Sequence, residues 1–485
     1  REERMKVVVV NGVAGSGKTT IALHRVAYLL YNFREQLGDK VLILGPNDIF
    51  IDYIGEVLPT LGESNVNQQT FAHFVINEIG LNEQVIDFTA YLEEVLKGNE
   101  EVINEIKYKA GEGFISVLDK KCEDLENSYF NVQAAKFFDE EVVSIEEIND
   151  LFENYYKYMP LFRRSKKIKR IITEKLKDKR DELVRNLNAE VKGKLASLTE
   201  EQLVIEQNNI EFQRKIRIRE IVRELMIQKE NLAKWIDNES IVDIYKEFTN
   251  TENLSYLDLP AILYLMIKLD GKKSSKEIKH IVIDEAQDYG KFAFFVINKI
   301  FKNSTFSIYG DLAQSLYPYR SIDNWECLEE IFDNFEILKL NKSYRTTIEI
   351  MNEANKINDL LKLDRAIPVI RHGEEVEYFD GNILNIINRI KDKYKTIAII
   401  TKEQNEANII YEELKKYIDI SLINSSNFCY NGSVSVLPSY LSKGLEFDAV
   451  IINGENRFNV DNVLDMKLLY VSKTRALHKL FIEKI

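Results

Sequence analysis

Val7-Val8-Val9-Val10-Asn11-Gly12-Val13-Ala14-Gly15-Ser16-Gly17-Lys18-Thr19-Thr20 decides the reading of this chain. The β-branched run predicts a strand over 5–10, and a helix is predicted over 21–31. Between them, Gly12 through Thr19 fits the spacing GxxxxGK[ST]. Phosphate oxygens need many donors at short range. Glycines let successive backbone N–H groups converge on them without Cβ clashes. The helix that follows turns its positive end to the same anion. Gly12, Val13, Ala14, Gly15, Ser16, Gly17, Lys18, Thr19 and Thr20 are therefore the expected cradle for ATP. Lys18 is expected to neutralise the β- and γ-phosphates, and the Thr19 hydroxyl to ligate Mg²⁺.

Outward from this loop, a second apolar strand is predicted over 41–44, ending at Gly45-Pro46. Ile281-Val282-Ile283-Asp284-Glu285-Ala286-Gln287-Asp288 is an apolar strand closed by two acids. The C-terminal edge of a parallel sheet is where α/β proteins bind ligands. Asp284 is expected to hold Mg²⁺, and Glu285 to orient and deprotonate an attacking water. Another strand is predicted over 306–309. A second α/β unit is predicted from 341, with strands at 396–400, 433–437, 449–452 and 479–482.

The ordered motifs resemble those of UvrD/Rep-type superfamily 1 helicases. The matching segments are Gly12 to Tyr28, Thr70-Phe71, Asp284-Glu285-Ala286-Gln287-Asp288, Gly310-Asp311-Leu312-Ala313-Gln314-Ser315-Leu316-Tyr317, the Tyr344-Arg345 pair, Lys443-Gly444-Leu445-Glu446-Phe447, and the stretch from Leu469 to Ala476. Leu44-Gly45-Pro46-Asn47, the stretch from Tyr53 to Leu58, and Tyr440 to Asp448 are similar to the HelD branch, ATPases that act on bacterial RNA polymerase. The resemblance implies an α/β fold of two RecA-like P-loop domains with parallel sheets and a mainly helical insertion in the first. The expected first domain is 1–75 with 251–340, the insertion 76–250, and the second domain 341–485. The stretch between Arg345 and Lys443 is too short for the large extra domain of UvrD and Rep. Pro438-Ser439-Tyr440 stands where UvrD has Thr and His. The family's adenine-reading Gln and the HelD N-terminal arm are expected upstream of Arg1.

Residue roles follow from the resemblance. Gln314 is expected to sense the γ-phosphate. Arg345 and Arg475 are the expected arginine fingers, since guanidinium forks suit a charged phosphoryl group; carried by the second domain, they would reach it when the cleft closes. Tyr344 is expected to stack on adenine, with Arg25 and Glu446 at the phosphate or ribose. Thr70, Phe71, Tyr317, Tyr319 and Arg320 are the expected nucleic-acid contacts, aromatic faces being indifferent to base identity.

The chain has 485 residues and a net charge of −13. Residues 91–154 hold 17 acidic and 6 basic side chains, and 163–194 hold 13 basic and 5 acidic. One or two long helices, as an antiparallel pair, are expected over 163–235. Acidity and the missing second insertion favour RNA polymerase as partner, with the acidic block mimicking nucleic acid in a basic channel. The alternative is a motor stepping 3′ to 5′ along single-stranded DNA. Cys122, Cys327 and Cys429 form no metal or disulfide pattern and read as reduced buried thiols of a cytoplasmic protein. No apolar run is long enough to span a membrane, and a monomer is expected. Arg1-Glu2-Glu3-Arg4, with no initiator Met or apolar leader, reads as the start of a fragment.

Overall fold

Strand β1 (Val7–Gly12) is buried along both faces, as its unbroken valine run requires. The computed structural model describes residues 7–63, 66–128, 132–236, 240–369, 371–424 and 433–484. Residues 5 and 6 of the predicted strand, Arg1 to Arg4 and Cys429 lie outside them, as does the side chain of Tyr53. The other five strands of the first sheet are β2 (Val41–Gly45), β3 (Asn67–Thr70), β4 (His280–Ile283), β5 (Thr305–Gly310) and β6 (Phe335–Leu340). Their order is β3-β2-β4-β5-β1-β6, and all neighbours are parallel. Parallel pairing brings the C-terminal ends of β1, β4 and β5 to one edge. The glycine loop and the acids thus meet although more than half the chain separates them.

Helix α1 (Lys18–Asn32) begins three residues before its predicted start. Gly17, at φ 80°, turns the chain straight into it, a conformation that favours glycine. Ala22, Leu23, Val26 and Leu30 form its buried stripe against the sheet.

His280 opens β4 in the core, between the hydroxyls of Thr305 (2.7 Å) and Ser307 (3.2 Å). Burial, then the nearby charge of Arg25, pushes its imidazole down to about 4 from the ordinary 6.5. Because the folded value is depressed, the stabilisation is complete above about 6.5 and is lost as pH falls towards 4. The whole effect is about 3 kcal/mol at most. Between pH 7 and 4.5 the melting temperature of the wild type is expected to fall more steeply than that of His280→Gln, which cannot titrate. Parallel curves would show that His280 contributes nothing to acid sensitivity.

The second sheet contains β7 (Glu377–Phe379), β8 (Ile397–Thr401), β9 (Ser421–Leu422), β10 (Val434–Pro438), β11 (Phe447–Ile452) and β12 (Ala476–Glu483). Its order is β7-β12-β11-β8-β10-β9, again parallel throughout. The four inner strands fall where the sequence predicts them, within three residues. The edges β7 and β9 were not predicted: at three and two residues they are too short to display a period. Both sheets belong to one compact unit, which also takes in the helices between 71 and 114.

A second unit comprises Ile115–Glu252 and Ala261–Lys273. Its two long helices, α2 (Leu161–Ala196) and α3 (Glu200–Ile236), are joined by three residues. Arg214 donates to Asn188 at 2.9 Å, so the pair runs antiparallel, as the sequence suggested. A short antiparallel hairpin, Ala135–Phe137 with Glu140–Val143, packs on both helices; helical periodicity around it hid it from the sequence reading. The segregated charges partly pair with each other. Glu126 bonds Arg164 (2.8 Å), Glu140 bonds Lys179 (2.6 Å), and Glu147 pairs with Lys175.

Candidate active site

The loop after β1 folds on itself. Ser16 N donates to Val13 O at 3.1 Å, and the Lys18 ammonium reaches Gly12 O at 2.7 Å and Val13 O at 3.2 Å. Lys18 is only 7 % exposed, so its charge rests on the loop's own carbonyls. The buried Ser16 hydroxyl has no partner. A buried ammonium without a carboxylate, beside an unsatisfied hydroxyl and a helix start, suits an anion.

Asp284 follows β4, and its Oδ2 accepts from the Thr19 hydroxyl at 2.6 Å. These two oxygen groups, on opposite sides of the sheet edge in sequence, are hard ligands of the kind Mg²⁺ takes together with phosphates and water. Among the described residues there is no cluster of three or more His, Cys, Asp or Glu fit to hold a metal by themselves. Burial, then the adjacent Glu285 charge, raises the Asp284 carboxyl above its ordinary value. Burial works against ionisation of Glu285 as well, but Lys443 and Lys18 overcome it and hold that carboxyl low. Two neighbouring acids are thereby split, and Glu285 is the one held ionised. Its backbone sits at φ 48°, ψ 39°, a left-handed conformation costly for a non-glycine residue.

The opposite wall comes from the segment after β6 and from the second sheet. Tyr344 N donates to Gly15 O at 2.8 Å. A side chain added at Gly15 would lie 2.5 Å from Cβ of Arg345 and 2.8 Å from the Ser343 hydroxyl, so glycine there permits the close approach. Arg345 pairs with Glu446 at 2.7 Å, and the Tyr344 ring is 62 % exposed beside the loop. Helix α4 (Val463–Lys473) leads to Arg475, which is 1 % exposed. Arg475 donates to Val471 O (3.0 Å), Leu445 O (3.3 Å) and Gln314 Oε1 (2.8 Å). Burial, then the neighbouring Arg345, lowers its guanidinium to about 10. The arginines were expected to meet the first domain only on closure. The structure already has both engaged with it, Arg345 against Gly15 and Arg475 on Gln314.

Gln314 faces Arg475 and donates to Asp311 Oδ2 at 2.6 Å. Sequence reading missed Gln287, whose Oε1 accepts from Asp311 N at 2.9 Å while its amide donates to Glu285. It also missed Lys443, which grips both Asp288 oxygens (2.8 and 2.7 Å), donates to Gln314 O (2.9 Å) and lies 3.5 Å from Glu285. Both stand inside quoted motifs, but only the folded cleft shows what they touch. Lys443→Met would leave Asp288, at 8 % side-chain exposure, without its cation. A loss of about 3 kcal/mol in unfolding free energy is expected; chemical denaturation measures it, and an unchanged midpoint would refute the pairing. Lys467 also lies in this cleft, lowered by burial against the pull of Asp323, Asp311 and Asp288. Arg25 stands apart, exposed about two turns along α1 from Lys18.

The expected nucleic-acid contacts divide. Thr70 caps the next helix, accepting from His73 N at 3.2 Å, and is buried. Phe71, 1 % exposed, packs its ring 5.6 Å from Tyr289 and 6.0 Å from Tyr256. The Arg320 guanidinium lies 4.5–4.7 Å from the rings of Phe88, Tyr256 and Tyr317. Thr70 and Phe71 therefore face the core, Tyr317 and Arg320 stack on each other, and the buried Nε and Nη1 of Arg320 have no hydrogen-bond partner. Tyr319 is 49 % exposed, with the Lys107 ammonium over its ring. Tyr440 is buried and donates to Glu93. Cys122 and Cys327 are free but half-buried rather than fully buried.

Residues 2–320 match the family model described as an AAA domain. The chain belongs to the AAA domain family. Residues 433–482 match a UvrD-like helicase C-terminal domain. Relatives of this AAA-domain chain include the ATP-dependent DNA helicase Rep of Buchnera aphidicola subsp. Acyrthosiphon pisum, 24 % identical over 274 residues, covering 51 % of this chain and 41 % of that one. The ATP-dependent DNA helicase PcrA of Leuconostoc citreum is 21 % identical over 251 residues, covering 45 % and 33 %. The chain thus spans less than half the length of these relatives. Among solved structures, the C-terminal domain of a possible DNA helicase from Lactobacillus plantarum aligns with a TM-score of 0.25 at 27 % identity, covering 30 % of this chain and 88 % of that one. The two family models and the named relatives identify this AAA-domain chain as a superfamily 1 protein of the UvrD/Rep/PcrA type. They do not extend to the HelD branch or to RNA polymerase. No helix among the described residues is long and apolar enough to cross a membrane.

Proposed function

We propose that this chain is the motor of an ATP-dependent DNA helicase of the UvrD/Rep/PcrA type, hydrolysing ATP between its two parallel sheets and working on single-stranded DNA. One observation carries the reading: Arg345 lies against Gly15 of the loop holding Lys18 and Thr19, and Arg475 bonds Gln314 of the neighbouring loop after β5. The residues suit Mg²⁺ and ATP. Mg²⁺, when bound, would neutralise charge on the β- and γ-phosphates. Thr19 and Asp284 would hold it, and Lys18 would exchange its carbonyl partners for phosphate oxygens. Glu285, kept ionised by Lys443 and Lys18, would take the proton of the attacking water. Arg345 and Arg475 would balance the charge on the transferring group from the second side. Because Arg475 reaches the first sheet through Gln314, a change at the phosphate alters how the sheets are joined, which gives the coupling a physical route.

The resemblance to HelD favoured RNA polymerase as the partner. The relatives named above are DNA helicases, and we place DNA first for that reason. The deciding assay is phosphate release with Mg²⁺, measured with and without a single-stranded oligonucleotide and with core RNA polymerase added separately. Stimulation by the oligonucleotide that falls steeply with salt is expected. Stimulation by polymerase alone would reverse the assignment of partner.

A further inference from the structure

We propose that the helical unit carries a second single-stranded nucleic-acid contact, on the outer face of the first turns of α2 and the tyrosine-bearing segment before it. The outward stripe of α2 reads Arg163, Lys166, Lys167 and Arg170, all exposed. Positions three and four apart share one side of a helix, so these four cations form a row. Its opposite stripe, including Leu161, Ile168 and Ile172, is buried. Much of the basic block has an acidic partner within the unit, as described above, but Arg163 and Arg170 form no ion pair among the described residues. Lys166 is 66 % exposed even though it pairs with Asp270 at 3.1 Å.

The segment ahead of the helix supplies aromatic faces. Tyr155 is 67 % exposed and Tyr158 80 %. The segment is not a loose loop. Arg164, 4 % exposed, donates to Lys157 O (3.0 Å) and Met159 O (3.0 Å) and stacks 4.6 Å over Phe152. The Lys167 ammonium lies 6.0 Å from the Tyr156 ring, which ties the segment along the row. One arginine of the run is thus used to build the platform, and its neighbours are left to face outward.

A fixed row of cations beside two projecting phenol rings fits a partner with a regular anionic backbone and flat bases, which is the chemistry of a single strand. An acidic protein surface would use the cations but has no need of the rings. The inference rests on the reading of the chain as a nucleic-acid motor, and its test is arranged to fail separately from that reading.

The test is fluorescence anisotropy of a labelled single-stranded DNA oligonucleotide with the whole chain, across a salt series, for the wild type, Arg163→Glu/Lys167→Glu/Arg170→Glu and Tyr158→Ala. Loss of three phosphate contacts is expected to weaken binding at least about tenfold and to lower the slope of log affinity against log salt by about 2. Tyr158→Ala is expected to weaken binding by about five- to tenfold with no change of slope. Basal hydrolysis without oligonucleotide is expected to stay at the wild-type value in both variants. Wild-type affinity and slope in the triple variant would overturn the proposal. So would a charge effect with no effect of Tyr158→Ala, which would reduce the row to a general attraction for polyanions without a contact to bases. Absence of hydrolysis in the wild type, with oligonucleotide binding that depends on this row, would instead refute the motor reading and leave the contact standing.

Discussion

Glu285→Gln is expected to cut ATP hydrolysis by about a thousandfold while nucleotide binding stays within about threefold of the wild type. Glutamine keeps the shape and the capacity to bond Gln287 but cannot take a proton, and a positioned general base is worth about 10²–10⁴ in rate. Binding persists because Lys18, Thr19 and Asp284 are untouched. Two cations hold this carboxylate ionised, Lys443 at 3.5 Å and Lys18, while the ionisation of Asp284 beside it is pushed the other way. Single-turnover hydrolysis beside a fluorescent-nucleotide titration separates the two effects. Hydrolysis within tenfold of the wild type would remove Glu285 from the role of base.

Arg475→Ala is expected to reduce hydrolysis by about a thousandfold or more and to weaken the junction of the two sheets. An arginine that balances the transferring phosphoryl group contributes about 10³–10⁵ in rate. This one also bonds the carbonyls of Val471 and Leu445 and the amide oxygen of Gln314, the first and last of these in a buried setting. Truncation leaves Leu445 O and Gln314 Oε1 without this donor, at about 1–3 kcal/mol for each, while Val471 O keeps its bond from the Thr474 hydroxyl. Arg475→Lys separates the roles. Lysine keeps the charge but lacks the fork, so it is expected to recover part of the stability and little of the rate. Thermal unfolding and phosphate release on the two variants provide the comparison. Equal rates in Arg475→Ala and the wild type would leave Arg475 a purely structural cation.

The first-sheet strands at 7–12, 41–45 and 280–283 were legible because each carries an apolar run stopped by glycine or acid, and 305–310 because Phe306 and Ile308 alternate with polar residues before Gly310. The inner strands of the second sheet were legible because each carries a short β-branched or apolar stretch. Edges of two or three residues and the hairpin at 135–143 carry no period to read. At the site, the loop and Asp284 were readable because spacing alone brings a helix start and a strand end to the sheet edge. The fate of an aromatic or an arginine was not. Phe71, Tyr317 and Arg320 look like base contacts in sequence, yet the fold has them contact one another and neighbouring rings. Only packing distinguishes an arginine caged by Phe88, Tyr256 and Tyr317 from one held out to a strand. Lys443 and Gln287 show the converse: their motifs were in view, but their partners lie on distant stretches of chain. The polymerase assignment leaned on finer likeness and net charge, and net charge describes the whole surface rather than any groove in it.

The most direct test is a crystal structure of this chain with Mg²⁺ and a non-hydrolysable ATP analogue. The γ-phosphate is expected within hydrogen-bonding distance of Lys18, Arg345 and Arg475 together, with Mg²⁺ on Thr19 and the analogue and the Asp284 carboxylate close by. A nucleotide seated on the glycine loop with Arg475 still bound to Gln314 and Arg345 turned away would contradict a site built from both sheets.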